Sequence, residues 1–448
     1  MHKRKTTWLE IVKGLNALLM TIPFAVAWYG YYRNQAASLF YIKGNMLVIA
    51  IYLLLYVVSG RVYDAFSISR SRISEMVYSQ SLAVLVADFF MYLILVLLIK
   101  RLASPLALLA ALVVQILLSV LWSLGAQKRY FALFLPQRTA IVYDTRTDLM
   151  EQIQESWMSK KFDIQINMDV ESCLVDLDVL SDMETVFMSG VHSHERNIIL
   201  KYCIGHGINT YVIPRIGDVL MSGAERINLL HLPMLRIDGY NPPTIYLIVK
   251  RLFDILVSGL ALLLFSPLFL LTAVAVKVSD GGPVFYHQKR LTKGGKVFDL
   301  IKFRSMRVDA ESDGVARLST GSADDRITPV GRVIRRVRLD ELPQLLCILK
   351  GDMTICGPRP ERPEIAAKYE ETLPEFRLRL QAKAGLTGYA QVFGKYNTTP
   401  YDKLQLDLMY LANPSILEDL RIIFATVKIL FMEDSTEGVK QETVSSAR

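Results

Sequence analysis

Apolar runs constrain this chain before any motif does. Four of them fill its first part, at residues 11–31, 45–58, 82–99 and 106–124. A helix needs about 20 mostly apolar residues to cross a bilayer, and the second run reaches that length with its flanks. No small-residue cleavage site follows a short apolar core, so the first run reads as a retained helix rather than a signal peptide. Composition agrees with a mixed protein. At 52% hydrophobic the chain is too apolar for an ordinary soluble enzyme, and at 21% charged it is not membrane throughout. Its 448 residues allow two or three domains.

The distribution of Lys and Arg orients the four helices. Lys3, Arg4 and Lys5 precede the first. Arg61, Arg70 and Arg72 lie in the second connection, and Lys128, Arg129 and Arg138 follow the fourth. The opposite side carries Arg33, Lys43, Lys100 and Arg101, of which the last two run against the bias. Both ends of the block therefore fall on the cytoplasmic side. The net charge of +8 fits cytoplasmic loops facing anionic lipid or phosphate. No aromatic-basic reader of RNA or DNA is present, so no nucleic acid is expected as a partner. The four cysteines, Cys173, Cys203, Cys347 and Cys356, form no CxxC pair. They exclude a disulfide framework and fit a reducing compartment.

From about 137 to 240 the pattern changes. "TAIVYD", "DIQINM", "TVFMSG" and "NTYVIP" read as strands, and "DLMEQIQESWMSKK" and "ERNIILKYCIGHG" as helices. This alternation predicts a small parallel α/β, Rossmann-like module. A dinucleotide site would want a glycine-rich turn after the first strand, and "YDTRTD" has no glycine. A regulatory or assembly role is the better expectation. His192 and His194 lack a third metal partner and read as a polar turn entering a helix.

A fifth apolar run, residues 255–276, is interrupted by Ser266-Pro267. A spanning helix here would move everything after it to the opposite side of the membrane. Proline breaks the helical ladder and serine can cap freed groups. With Lys250, Arg251 and Lys277 at its two ends, the run reads either as a helix that dips and returns or as a kinked span.

The chemistry-bearing residues follow. Lys302, Arg304, Arg335, Arg359 and Lys395 are cations set in short turns rich in glycine and proline. Arginine forks and exposed backbone N–H groups are what a diphosphate substrate needs. Asp340 and Glu341 lie side by side after an arginine cluster. As a bare pair they suit a helix start, where the dipole favours negative charge. Arginines would also hold Asp340 ionised as a nucleophile toward phosphorus, with Glu341 offering an oxygen to Mg2+.

The strings "KRLFD", "KFRSM", "RLDELPQL", "KGDM", "GPRP", "GLTGYAQV" and "KLQLDLMY", with the Ser266-Pro267 break, resemble the polyprenyl-phosphate hexose-1-phosphate transferases, the monotopic phosphoglycosyltransferases. The resemblance covers about 180 residues, from Lys250 to Leu430, and the preceding helices and α/β module resemble the large form. It implies a membrane α-helical bundle (1–130), the α/β module (137–240) and a mixed α/β monotopic catalytic domain with a re-entrant helix (245–448). It implies transfer of a sugar phosphate from a UDP-sugar to polyprenyl phosphate through an aspartyl intermediate, with release of UMP. Asp340 would be the nucleophile and Glu341 the Mg2+ partner. Arg335 and Arg359 would contact phosphate, Lys302 and Arg304 lie in the KFRSM turn, and Asp407 matches an acidic position. The implied setting is the bacterial inner membrane, with the lipid bilayer as partner and a homo-oligomer allowed. Two departures stand out: Lys383-Ala384-Gly385 where relatives often have KPG, and Gly394-Lys395 where they often have Gly-Arg. The rivals are a multi-span transferase acting by direct displacement and a non-catalytic assembly scaffold.

Overall fold

The structure is a computed structural model and describes residues 2–36, 41–308, 310, 326–394 and 398–430. The chain forms two compact units that divide between Pro214 and Arg215.

The first unit opens with α1 (His2–Ala27), α2 (Ile42–Val62), α3 (Ile73–Ile99) and α4 (Leu106–Leu133). All four are long and apolar enough to cross a membrane. Each packs on the next, and α4 returns against α1. Apolar side chains such as Leu18, Leu54, Leu85 and Leu117 face outward, while the interior is partly polar. Phe24 stacks on Tyr52 with ring centres 4.2 Å apart. The Tyr52 hydroxyl accepts from Gln115 at 2.7 Å, and Gln115 also donates to the Met20 carbonyl at 2.8 Å. Tyr56 donates to Asn16 at 2.7 Å. Lipid removes the hydrophobic drive between helices, so such contacts fix which faces meet.

The α/β layer follows: β1 (Gln137–Tyr143), α5 (Leu149–Glu155), β2 (Phe162–Asp169), α6 (Val170–Val175), β3 (Thr185–Ser189), α7 (Ser193–Gly205) and β4 (Asn209–Val212). The strands form one parallel sheet in the order β2-β1-β3-β4. Burial on both faces explains the continuous apolar run in β1: Val142 packs with Val186 and Ile199, and Ile141 with Ile153 and Phe162. His192 stands at the N-cap position of α7 and lies 3.5 Å from Asp144. Among the described residues no group of three His, Cys, Asp or Glu side chains is arranged to hold a metal.

The second unit starts earlier than the sequence pattern indicates. Residues 215–240, grouped above with the α/β module, pack here. They contain α8 (Ile216–Ser222) and a hairpin of β5 (Glu225–Leu229) and β6 (Leu232–Arg236). Gly223 lies against the Ala412 backbone with no room for a Cβ, and Tyr240 N–H donates to Gln381 at 2.8 Å. Next come α9 (Thr244–Leu264) and α10 (Ser266–Asp280), bent by 64° at their junction. The Ser266 hydroxyl donates to the Leu263 carbonyl at 2.8 Å, and Pro267 occupies the first turn of α10, where a missing N–H costs nothing.

The rest comprises β7 (Phe285–Leu291), β8 (Val297–Phe303), α11 (Pro329–Arg336), α12 (Gln344–Lys350), β9 (Met353–Cys356), α13 (Pro363–Thr372), β10 (Ala384–Thr387), α14 (Tyr389–Val392), α15 (Pro400–Ala412) and α16 (Ile416–Leu430). β7 and β8 pair antiparallel, β9 and β10 parallel. α9 attaches to this core by an unusual face. Its inward residues at four-residue spacing are Tyr246, Lys250, Asp254 and Ser258, while Leu252, Leu256, Leu260 and Leu263 are exposed. Lys250 meets Asp419 at 2.8 Å, and Tyr246 and Tyr410 donate to the same carboxylate at 3.0 and 2.7 Å. Asp254 accepts from Thr354 at 2.8 Å and from Ile355 N–H at 2.9 Å. Arg251 donates to the Ile348 and Leu349 carbonyls at 2.7 and 2.8 Å, at the end of α12.

Breaking a buried ion pair on one side strands the other charge and costs about 3–5 kcal/mol. Asp419→Asn is expected to lower the unfolding midpoint of the purified protein by that order, and Lys250→Met combined with Asp419→Leu to recover much of it. An unchanged midpoint for Asp419→Asn, followed in a denaturant titration, would refute a charged pair.

Candidate active site

The elements around Asp340 are set by short-range signals. Thr328 caps α11, its hydroxyl accepting from Gly331 N–H at 2.9 Å, and Pro329 follows in the first turn. After α11 the chain reverses at Arg338, which takes a left-handed conformation (φ 58°), an uncommon state for a residue with a Cβ. The 3₁₀ turn Leu339–Glu341 follows. Leu339 and Leu342 anchor it, packing with Val276, Phe303 and Ile334. The acidic pair therefore sits beside α10 and ahead of α12, in a turn of its own rather than at a helix start.

Four cationic side chains converge there. Glu341 lies 3.3 Å from Lys302 Nζ and 3.8 Å from both Arg338 and Arg359. Arg335, at the end of α11, acts on Asp340. The two carboxyls, adjacent in sequence, experience opposite fields. Burial pushes Asp340 up, the Glu341 charge adds to it, and Lys302 and the arginines only partly offset this, leaving it at about 6. Burial also pushes Glu341 up, but Lys302, Arg359 and Arg338 overrule it and hold it down at about 2. The close cations thus favour the charged form of Glu341, while burial and the Glu341 charge disfavour that of Asp340. Burial pulls Lys302 down, opposed by Glu341.

Asp340 Oδ1 is buried and has no hydrogen-bond partner among the described residues. Beside the charged Glu341, it is an orphaned acceptor of the kind that a hard cation takes up. Mg2+ needs only one or two carboxylates when phosphate and water complete its shell, so this pair fits it.

Arg359 arrives on the loop after β9, where backbones cross closely. Gly357 N–H donates to Thr387 O at 2.9 Å and Gly385 N–H to Pro358 O at 2.8 Å, and a Cβ on Gly357 would run into the Lys383 carbonyl. Ala384 N–H donates to Thr292 at 3.1 Å, a bond that a proline at this position could not make. Two further arginines hold the loop: Arg379 donates to Arg359 O at 2.9 Å and Arg290 to Pro360 O at 3.0 Å.

The remaining sequence-predicted residues are placed elsewhere. Arg304 is buried in an ion pair with Asp280 at the end of α10, not on the acidic pair. Asp407 pairs with Arg379 at 2.6 Å, with Glu361 3.5 Å from the same guanidinium. Burial raises Asp407 to about 6 against the pull of Arg379. Its contact is with the arginine that holds the Arg359 loop. Ser266 and Pro267 form the α9–α10 bend. Lys395 lies outside the described residues. Arg338 counted in the sequence only as one of a cluster. Arg290 and Arg379 carried no signal there, since the loop carbonyls they hold, and the Asp407 carboxylate on Arg379, are remote in sequence.

Half-buried catalytic-type carboxylates and converging cations on a membrane-associated α/β core define an enzyme class that handles anionic substrates. Residues 245–433 match the bacterial sugar transferase family, and the chain belongs to that family. It is 39% identical over 191 residues to a UDP-glucose:undecaprenyl-phosphate glucose-1-phosphate transferase of Caulobacter vibrioides, covering 42% of this chain and 71% of that one. It is 42% identical over 190 residues to the exopolysaccharide production protein PSS of Rhizobium leguminosarum bv. phaseoli, covering 40% and 94%. A UDP-N-acetylgalactosamine-undecaprenyl-phosphate N-acetylgalactosaminephosphotransferase of Aeromonas hydrophila is 37% identical over 234 residues, covering 52% and 54%. The match spans about half the length of that last relative.

The pair makes opposite predictions for stability. An acid whose pKa is raised on folding weakens the fold as pH climbs from its unfolded value near 4 to its folded value; one held low strengthens it above its unfolded value. At pH 7 Asp340→Asn is expected to raise the unfolding midpoint and Glu341→Gln to lower it. The gain from Asp340→Asn should fade below about pH 4. Thermal unfolding at both pH values checks this, and a lower midpoint for Asp340→Asn at pH 7 would contradict the assigned environment.

Proposed function

We propose that this protein transfers a sugar 1-phosphate from a UDP-sugar to polyprenyl (undecaprenyl) phosphate, as the first membrane step of a surface polysaccharide. The carrying observation is the half-buried Asp340–Glu341 pair ringed by Lys302, Arg338 and Arg359. The named activities of the relatives support the choice of substrates.

In the first half-reaction a carboxylate oxygen of Asp340 attacks the sugar-bearing phosphorus. The new bond is Asp340 O–P; the bond from that phosphorus to the bridging oxygen breaks, and UMP leaves with the electron pair. In the second, an oxygen of polyprenyl phosphate attacks the same phosphorus and Asp340 leaves as carboxylate. Desolvation of Asp340 removes water that would otherwise shield its oxygen. Arg359 and Lys302 offset charge building on the phosphoryl oxygens. Glu341, with the partnerless Asp340 oxygen, would hold Mg2+, which when bound neutralises diphosphate charge. Asp407 acts through Arg379 on the Arg359 loop.

The bent α9–α10 pair is read as a re-entrant hairpin that enters one leaflet and returns. Its exposed leucines would face lipid, and Leu339 and Leu342 would hold the acidic turn at the membrane surface, where a lipid phosphate arrives. The charge bias of the first four helices supports reading it as a protein of the bacterial cytoplasmic membrane with its catalytic unit on the cytoplasmic face. The α/β sheet serves as a Rossmann-like regulatory or assembly module.

Wild-type protein given a UDP-sugar labelled in the sugar phosphate, without lipid acceptor, should gain covalent label on the Asp340 peptide and release UMP. Polyprenyl phosphate should chase the label, and Asp340→Asn should neither label nor turn over. Glu341→Gln should lose most turnover, with partial recovery at raised Mg2+. Transfer that requires both substrates bound at once would replace this mechanism with direct displacement.

The topology has its own test. All four native cysteines are buried, so single cysteines at the exposed Thr244 and Ser279 should report cleanly. Both should react with an impermeant maleimide from the same side of sealed vesicles. Reaction from opposite sides would make the pair a span.

A further inference from the structure

Lys161 in the first unit is 8% exposed and has no acidic partner among the described residues. It lies between the 3₁₀ turn Trp157–Lys160 and β2. The ammonium lies 4.8 Å from the centre of the Phe162 ring, but a buried ammonium without a counter-charge is costly, and its charged neighbours, Lys5 and Arg70, are cationic. Gln137 N–H donates to Lys161 O at 2.8 Å, which ties Lys161 to the exit of α4, three residues beyond Phe134. Lys5 Nζ stands 5.7 Å from the Phe134 ring centre and 5.3 Å from that of Tyr130. Arg70 belongs to the α2–α3 connection, whose Ile68 packs against Tyr130 and whose Ser71 carbonyl accepts from Gln127 of α4 at 3.0 Å. Three chain segments thus bring Lys5, Arg70 and Lys161 to one end of the helix bundle. Burial, then Lys5, then Arg70, lowers the Lys161 ammonium to about 8.

The site has a second unsatisfied group. The Tyr130 hydroxyl is buried and has no hydrogen-bond partner among the described residues. Its ring lies below Lys5 and contacts Trp8 at 6.0 Å and Phe134 at 5.3 Å, centre to centre. An indole-and-phenol cluster at the end of a membrane helix bundle marks the headgroup level of a bilayer. Basic pockets at that level bind lipid headgroups.

We propose that Lys5, Arg70 and Lys161, with the Tyr130 hydroxyl, form an anion site at the junction of the helix bundle and the α/β module, and that it takes a phosphate group. A phosphate oxygen supplies the counter-charge that Lys161 lacks and an acceptor for Tyr130. The site couples the module to the membrane surface and is independent of the reaction proposed for the second unit. The same chemistry is offered by the headgroup of an anionic lipid and by a free phosphate ester.

All four tryptophans, Trp8, Trp28, Trp122 and Trp157, lie in the first unit, so intrinsic fluorescence reports its unfolding. The full-length protein in neutral detergent is titrated with dioleoylphosphatidylglycerol, with dioleoylglycerol as the phosphate-free control. Inorganic phosphate is compared with chloride at matched ionic strength. A ligand bound only by the folded state raises the midpoint. The expected result is a rise with phosphatidylglycerol over dioleoylglycerol that Lys161→Met and Arg70→Gln both lose. An equal rise with inorganic phosphate, lost in the same variants, assigns the site to a free phosphate ester. No rise with either phosphate source, or a full rise retained in a folded variant, overturns the proposal. Arg70 is exposed, so Arg70→Gln decides the matter if Lys161→Met does not fold.

Discussion

The second unit depends on one helix whose polarity is inverted. A helix on the surface of a soluble domain buries its apolar stripe. α9 buries Tyr246, Lys250, Asp254 and Ser258 and turns its leucines outward. This is stable only where the outside is apolar and where the inward charges have partners. Lys250 and Tyr246 find Asp419, and Asp254 finds Thr354 and the Ile355 N–H. Arg251 beside them finds the end of α12. One helix face thereby fixes β9 and α12 together. The Arg359 loop leaves from β9, and the acidic turn leads into α12. The relative placement of the acidic turn and the Arg359 loop is inherited from the way α9 docks.

Within that frame, the acidic pair is divided by its neighbours. Sequence adjacency would give two equivalent carboxylates. Instead Glu341 collects the close cations, and Asp340 is left half-buried with an unpartnered oxygen. Two acids pushed apart in this way are suited to different tasks. The one stabilised as an anion is a poor attacking group because its charge is already used. The one ionised against its surroundings keeps a reactive lone pair, at a cost in stability that the ion cluster around Glu341 helps offset.

Local signals were legible in the sequence, and distant partnerships were not. The four apolar runs became α1–α4, and the strand–helix alternation became a parallel sheet, because hydrophobic length and period are written in consecutive residues. The Ser266-Pro267 break appeared as a 64° bend for the same reason. Lys302, Arg359, Asp340 and Glu341 did converge. Residues 215–240 were misgrouped because their affiliation rests on contacts such as Gly223 with Ala412, which no window of sequence contains. Arg304 and Asp407 had the right residue types in motif strings, but their partners, Asp280 and Arg379, turned them into supports. Of the arginine cluster, Arg335 and Arg338 act on Asp340, and Arg338 also lies 3.8 Å from Glu341, which adjacency in sequence alone does not reveal.

Asp407 shows how such a support bears on function. It is fully enclosed, 2.6 Å from Arg379, and Arg379 reaches the Arg359 carbonyl. Arg290 holds the next carbonyl, and Leu291 N–H the one after it, on Glu361. Three consecutive carbonyls are thus tied down, while the Arg359 side chain itself remains 44% exposed. The loop backbone is held at three points, and the half-exposed guanidinium at its tip is held, among the described residues, only by the 3.8 Å contact with Glu341. In the proposed reaction a clamp on the transferring phosphoryl group would need this combination, because the phosphoryl group inverts at each of the two in-line displacements. Preorganisation then resides in the backbone, where it costs no reorganisation during the reaction. Adaptation resides in one side chain. A buried carboxylate in the motif "KLQLDLMY" can in this way govern phosphate handling without touching phosphate.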